Sequence, residues 1–75
     1  MENLGKVFRD FRLNGHYSLK EAAGQVCSTS QLSRFELGES DMPLSKFLDL
    51  LDNIHVTLEN FMDKARNFQQ HEHVA

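Results

Sequence analysis

A single cysteine, Cys27, rules out an internal disulfide, and with no second cysteine or positioned histidine beside it a structural zinc site is excluded too. Cys27 is therefore expected to be a small packed or half-buried residue. No apolar run approaches the roughly 20 residues that a membrane helix needs, and Met1-Glu2-Asn3 lacks the basic start and apolar block of a signal peptide. The expectation is a cytoplasmic chain with no membrane partner. Alternating period-two stretches are missing, as are Asn-Gly or Asp-Gly hairpin turns between β-branched runs, so no sheet is expected. There is no nucleophile-base pair, Gly-rich phosphate loop or carboxylate pair of plausible geometry, which speaks against an enzyme, a cofactor or a small-molecule substrate. The histidines carry little: His16 and His55 fall in loops, His71 and His73 near the end, and none is read as a metal ligand.

What is present is an ordinary folding composition: 75 residues, 40% of them apolar, with six Phe and no low-complexity stretch. That length supports one domain with a small core, and it leaves room for a partner subunit or neighbouring domain. The net charge of −3 argues mildly against nucleic acid, but its distribution matters more. Residues 1–37 hold Lys6, Arg9, Arg12, Lys20 and Arg34 against Glu2, Asp10, Glu21 and Glu36, a net of +1, while the remainder nets −4. A DNA face must then lie in the first half, with the acidic half turned away from phosphate.

Apolar spacing reads as five helices. Leu4, Val7, Phe8 and Phe11 share one face of a helix from about Asn3 to Leu13, which Asn14-Gly15 is expected to end with a positive φ. Ser18 and Glu21 form a capping box opening a short second helix at Leu19, with Leu19, Ala22, Ala23 and Val26 inward. Ser28 and Gln31 form a second box ten residues on, so helix 2 should stop near Val26 and helix 3 start near Thr29. Helix 3 turns Leu32 and Phe35 to the core and closes at Gly38. Pro43 suits the first turn of a fourth helix, expected to be the most buried, with a stripe of Leu44, Phe47, Leu48, Leu50, Leu51 and Ile54. Thr57 caps a fifth, which carries Leu58, Phe61, Met62, Ala65 and Phe68 on one face. The expected domain is 1–68, with 69–75 a disordered tail.

Two short helices at a sharp angle, small residues where they meet, and polar residues opening the second are the requirements of a helix-turn-helix. Leu19 to Phe35 supplies all three. Thr29, Ser30, Gln31 and Ser33 are the candidate base readers: Gln31 can pair bidentately with adenine, and Thr29 and Ser30 can donate, accept or touch a thymine methyl. Arg9, Arg12, Lys20, Ser28 and Arg34 are the candidate phosphate contacts, with the backbone N–H groups at the starts of helices 2 and 3. Against each stands a plainer role. A capping box alone says that a helix begins, and Arg9 and Arg12 could equally pair with Asp10, Glu2 or the acidic half. Glu36 reads as structural, pairing near helix 1, because a carboxylate facing phosphate is repelled.

The run Ser-Thr-Ser-Gln-Leu-Ser-Arg-Phe-Glu-Leu-Gly-Glu-Ser-Asp, Ser28 to Asp41, resembles the Rgg/MutR family of bacterial regulators, as do Ser18-Leu-Lys-Glu-Ala-Ala23 and Phe47 to Phe61. The resemblance covers roughly Leu4 to Phe68. It implies an all-α, five-helix lambda-repressor-like (XRE-type) domain that reads double-stranded DNA with helix 3, a Firmicute origin, and dimeric binding to paired half-sites. It implies quorum sensing too, through short secreted peptides re-imported into the cell. From Ala23 to Glu36 the chain is one residue shorter than the usual pattern, with Cys27 where the turn often has Gly and another residue. Full-length members carry a following helical-repeat domain that binds peptide and forms the homodimer, so these residues read as the DNA-binding part of such a regulator. Rival readings are a helical protein-interaction module that keeps the shape without DNA affinity, and a small antitoxin or phage-type repressor.

Overall fold

The computed structural model describes residues 4–74, with side chains described for residues 4–66. Its elements are α1 (Leu4–Asn14), α2 (Leu19–Ala23), α3 (Thr29–Glu36), α4 (Leu44–Asn53) and α5 (Leu58–Val74), with no strand among the described residues. Helix α1 packs against α3 and α5, and α2 against α3 and α4. The all-α, five-helix architecture expected from apolar spacing is the one observed.

The helix ends show how the chain is folded locally. α1 does close on a left-handed residue, but at His16 (φ 63°) instead of Asn14 or Gly15. The His16 N–H donates to the Leu13 carbonyl at 3.1 Å and the Tyr17 N–H to that of Arg12 at 3.0 Å, the paired bonds of a Schellman motif. Gly15 serves another purpose: a Cβ there would lie 2.7 Å from the Tyr17 ring. α2 opens with the full Ser18–Glu21 box. It stops at Ala23, three residues before the expected Val26, because Gly24 turns the chain at φ 51°. α3 starts at Thr29, where Ser28 Oγ accepts from the Gln31 N–H at 3.0 Å, and closes through Gly38 at φ 79°.

Pro43 is the N-cap of α4 and so sits one position ahead of the first turn. The stripe of α4 is narrower than the sequence suggested. Phe47, Leu50, Leu51 and Ile54 are buried, but Leu44 is 67% and Leu48 38% exposed. α5 begins where Thr57 Oγ1 accepts from the Asn60 N–H at 3.1 Å, and it buries Phe61 and Ala65. Leu58, expected on that inward face, is 43% exposed. The inward placement of Phe68 and the state of the tail fall outside the described side chains; the helical backbone of α5 is continuous through Val74.

The core is aromatic. Phe47 meets Phe61 at 5.0 Å, Phe35 at 5.9 Å and Phe8 at 6.4 Å between ring centroids, and Phe11 stacks on Phe61 at 5.8 Å. Burying one such ring contributes about 1.5–3 kcal/mol, so these rings dominate the stability of a domain this small. Phe35 brings α3 into that cluster from its inner face, which sets the direction in which the outer face looks.

Candidate nucleic-acid interface

The inner face of α3 consists of Leu32, Phe35 and Glu36, all buried. Two features fix it against its neighbours. At Gly5 of α1 a Cβ would lie 1.8 Å from the Phe35 carbonyl oxygen, so the two backbones approach as closely as a missing side chain allows. Beside that crossing, Arg12 and Glu36 form a buried, two-pronged ion pair: Nε donates to Oε2 at 2.7 Å and Nη2 to Oε1 at 2.9 Å. The remaining Arg12 nitrogen, Nη1, donates to the Tyr17 carbonyl at 3.0 Å. Hydrogen bonding to Glu36 holds the Arg12 guanidinium above its ordinary pKa, against the opposing effect of burial.

Arg12 was among the expected phosphate contacts, and the structure removes it from that set. Its side chain is 9% exposed, and each of its three nitrogens donates to a partner inside the protein. The structural role expected for Glu36, pairing near helix 1, is the role it has.

The opposite face of α3 is polar and open. Thr29, Ser30 and Arg34 are exposed, and Gln31 and Ser33 are half-buried. Thr29, Ser30, Ser33 and Arg34 line one shallow hollow of about 400 Å³, closed on the α2 side by Leu19. Four of the expected contact residues are thus brought together. Gln31 lies outside the lining, and its side chain does not reach back to Ser28, so the second capping box is half formed. Lys20 is exposed and follows Leu19 directly. Ser28 accepts from the Gln31 N–H, which leaves its O–H free to donate. Arg9 is exposed but lies apart, lining a second hollow of about 230 Å³ with Lys6, Glu36, Leu37 and Gly38 at the carboxyl end of α3.

The starts of α2 and α3 differ electrostatically, although phosphate was expected at both. At α2 the Glu21 carboxylate accepts from the Ser18 N–H at 2.8 Å, and that bond holds its pKa below the ordinary carboxylate value. An acid already occupies the place where a phosphate was expected. The first turn of α3 contains no acid, so its positive dipole end is uncompensated and better suited to an anion.

Cys27, in the turn between them, is half-buried against the core, and burial pushes its thiol pKa up despite the nearby Lys46. Gly5 and Asn53 were not singled out from the sequence. Asn53 Nδ2 donates to the Ala22 carbonyl at 2.8 Å, tying the end of the five-residue α2 to α4. Two buried alanines, Ala22 and Ala23, let α2 sit close to the helices around it.

This geometry has solved relatives. The SHP pheromone receptor Rgg2 of Streptococcus dysgalactiae, as a cysteine-to-serine variant, matches with a TM-score of 0.78 and 39% identity over 83% of this chain. The chain belongs to the Rgg family. A second Rgg2 structure from the same organism matches at TM-score 0.76 and 38% identity over 80% of the chain. The Rgg-family domain seen here spans less than a quarter of those receptors, 23% and 22% of their respective lengths. No family model matches the sequence. Among the described residues of the Rgg-family domain, no helix is long and apolar enough to cross a membrane.

Proposed function

We propose that this Rgg-family domain reads double-stranded DNA by laying the amino-terminal part of α3 in the major groove. The observation that carries the reading is the outer face of α3: three hydroxyl side chains and Arg34 around one hollow with no carboxylate in its lining, on a helix whose first turn is free of acid. Thr29, Ser30, Gln31 and Ser33 face base edges, where Gln31 pairs with adenine. Arg34, Lys20 and Ser28 contact phosphates beside the groove, and Arg9 contacts phosphate farther along the backbone. The domain acts in the cytoplasm as the operator-reading part of a peptide-responsive regulator. Two copies, joined as a homodimer by a further domain, read paired half-sites.

The test is an NMR titration of labelled protein with a short random-sequence duplex at low and then physiological salt. Shifts centred on Lys20 and on Ser28 to Arg34 that fade with salt are expected. Shifts confined to α4 and α5, or none at low salt, overturn the reading. The exposed Leu44 and Leu48 of α4 favour a second reading, a helical protein-interaction surface, and shifts restricted to that face on adding a protein partner would establish it.

A further inference from the structure

Leu19 is out of place by its chemistry. It occupies the first position of α2, a site where a polar residue would serve the capping box equally well, and it is half-buried. Part of the side chain packs against the core, and the rest forms one wall of the hollow shared with Thr29, Ser30, Ser33 and Arg34. The hollow thus joins an apolar surface, made by Leu19 with the Thr29 methyl available beside it, to a set of hydroxyl and guanidinium donors. Among the edges that base pairs show in the major groove, thymine offers that combination: a C5-methyl group next to the O4 acceptor. Cytosine offers an amino donor and no methyl, and guanine offers two acceptors and no apolar group.

Resting on the DNA reading above, we propose that this hollow is a receptor for the 5-methyl group of a thymine, with Leu19 and Thr29 as the residues that specify it. Leu19 and the Thr29 methyl cover the thymine methyl, while a hydroxyl of Ser30 or Ser33 donates to O4 and Arg34 stays on the phosphate beside it. Specificity at that base pair then comes from α2 as well as from α3. The discrimination is between presence and absence of one methyl group, for which burial predicts a factor of about three to five in affinity.

The experiment selects duplexes from a random-sequence library with the 75-residue chain at low salt, then replaces each thymine of a selected duplex in turn by deoxyuridine, which removes the methyl and nothing else. At one thymine per half-site the replacement is expected to weaken binding about three- to fivefold. In Leu19→Ala that ratio should fall close to one. Because Leu19 also touches the core, Thr29→Ser provides a second variant that removes a methyl from an exposed position and keeps the hydroxyl; it should lower the ratio about twofold. A ratio of one at every thymine with the unmodified chain overturns the inference while leaving DNA reading intact, and so does a ratio unchanged by both substitutions. Failure to retain any duplex, selected or random, overturns the DNA reading itself and this inference with it.

Discussion

The two ends of α3 are held by different means, and the contrast separates what orients the helix from what it presents. At the carboxyl end lie the Gly5–Phe35 backbone crossing, the buried Arg12–Glu36 pair and the turn through Gly38, in which the Glu39 N–H donates to the Arg34 carbonyl at 2.8 Å. At the amino end the Ser28 hydroxyl caps the backbone, and Thr29 and Ser30 line the outer hollow, which Ser33 and Arg34 continue along the same face. Orientation is therefore set from inside, near α1, while recognition is left to side chains that the fold does not consume.

The strongest way to break this arrangement is to remove one partner of the buried pair. Arg12→Met is expected to cost about 3 to 5 kcal/mol, because Glu36 is left charged in the interior, and replacing Glu36 by Leu as well should recover most of it. Denaturant unfolding of the two single variants and the double variant measures the coupling. Gly5→Ala should cost about 3 kcal/mol or more, since the new methyl meets a carbonyl oxygen of the neighbouring helix, not a movable side chain; its unfolding midpoint and the amide shifts of α3 report the displacement.

Changes on the outer face of α3 should leave stability alone and alter binding instead. Gln31→Ala should lower discrimination at one base pair by about 1 to 3 kcal/mol, read from competition between single-base variants of a selected duplex. Arg34→Ala should weaken all sequences alike and flatten the salt dependence by about one unit. The smallest effect is expected at the start of α2. The Ser18 N–H holds the folded pKa of Glu21 below the ordinary carboxylate value, so the capping contribution is complete above that ordinary value and is lost as pH falls through the lower, folded one. Melting temperature followed from pH 6 to pH 3 should fall more in the unmodified chain than in Glu21→Gln.

Much of this was legible in the sequence, because helix starts and apolar periods are local signals. The Ser18–Glu21 box, the Ser28 and Thr57 caps and the turn at Gly38 follow from residues within four positions of one another. The errors came where a tertiary neighbour decided the outcome. Gly15 looked like the residue that ends α1, but the Tyr17 ring claims the space beside it and His16 takes the left-handed conformation. Leu44 and Leu48 fit an apolar stripe, yet the core ends before reaching them. Arg12 did carry a signal that went unused: it lies four residues beyond Phe8 on the apolar face of α1, and Glu36 lies four beyond Leu32 on that of α3. Opposite charges on two inward faces are a signature of an internal pair. Nothing local marks Gly5, whose role depends on a backbone thirty residues away.

The Arg12–Glu36 pair also bears on how such a domain can diversify. Because the pose of α3 is anchored by buried residues on its inner face, Thr29, Ser30, Gln31 and Ser33 can be exchanged without resetting the scaffold that carries them. Under the DNA reading proposed above, one framework can then be retuned to new target sequences a few substitutions at a time, with fold and preference inherited as separate traits.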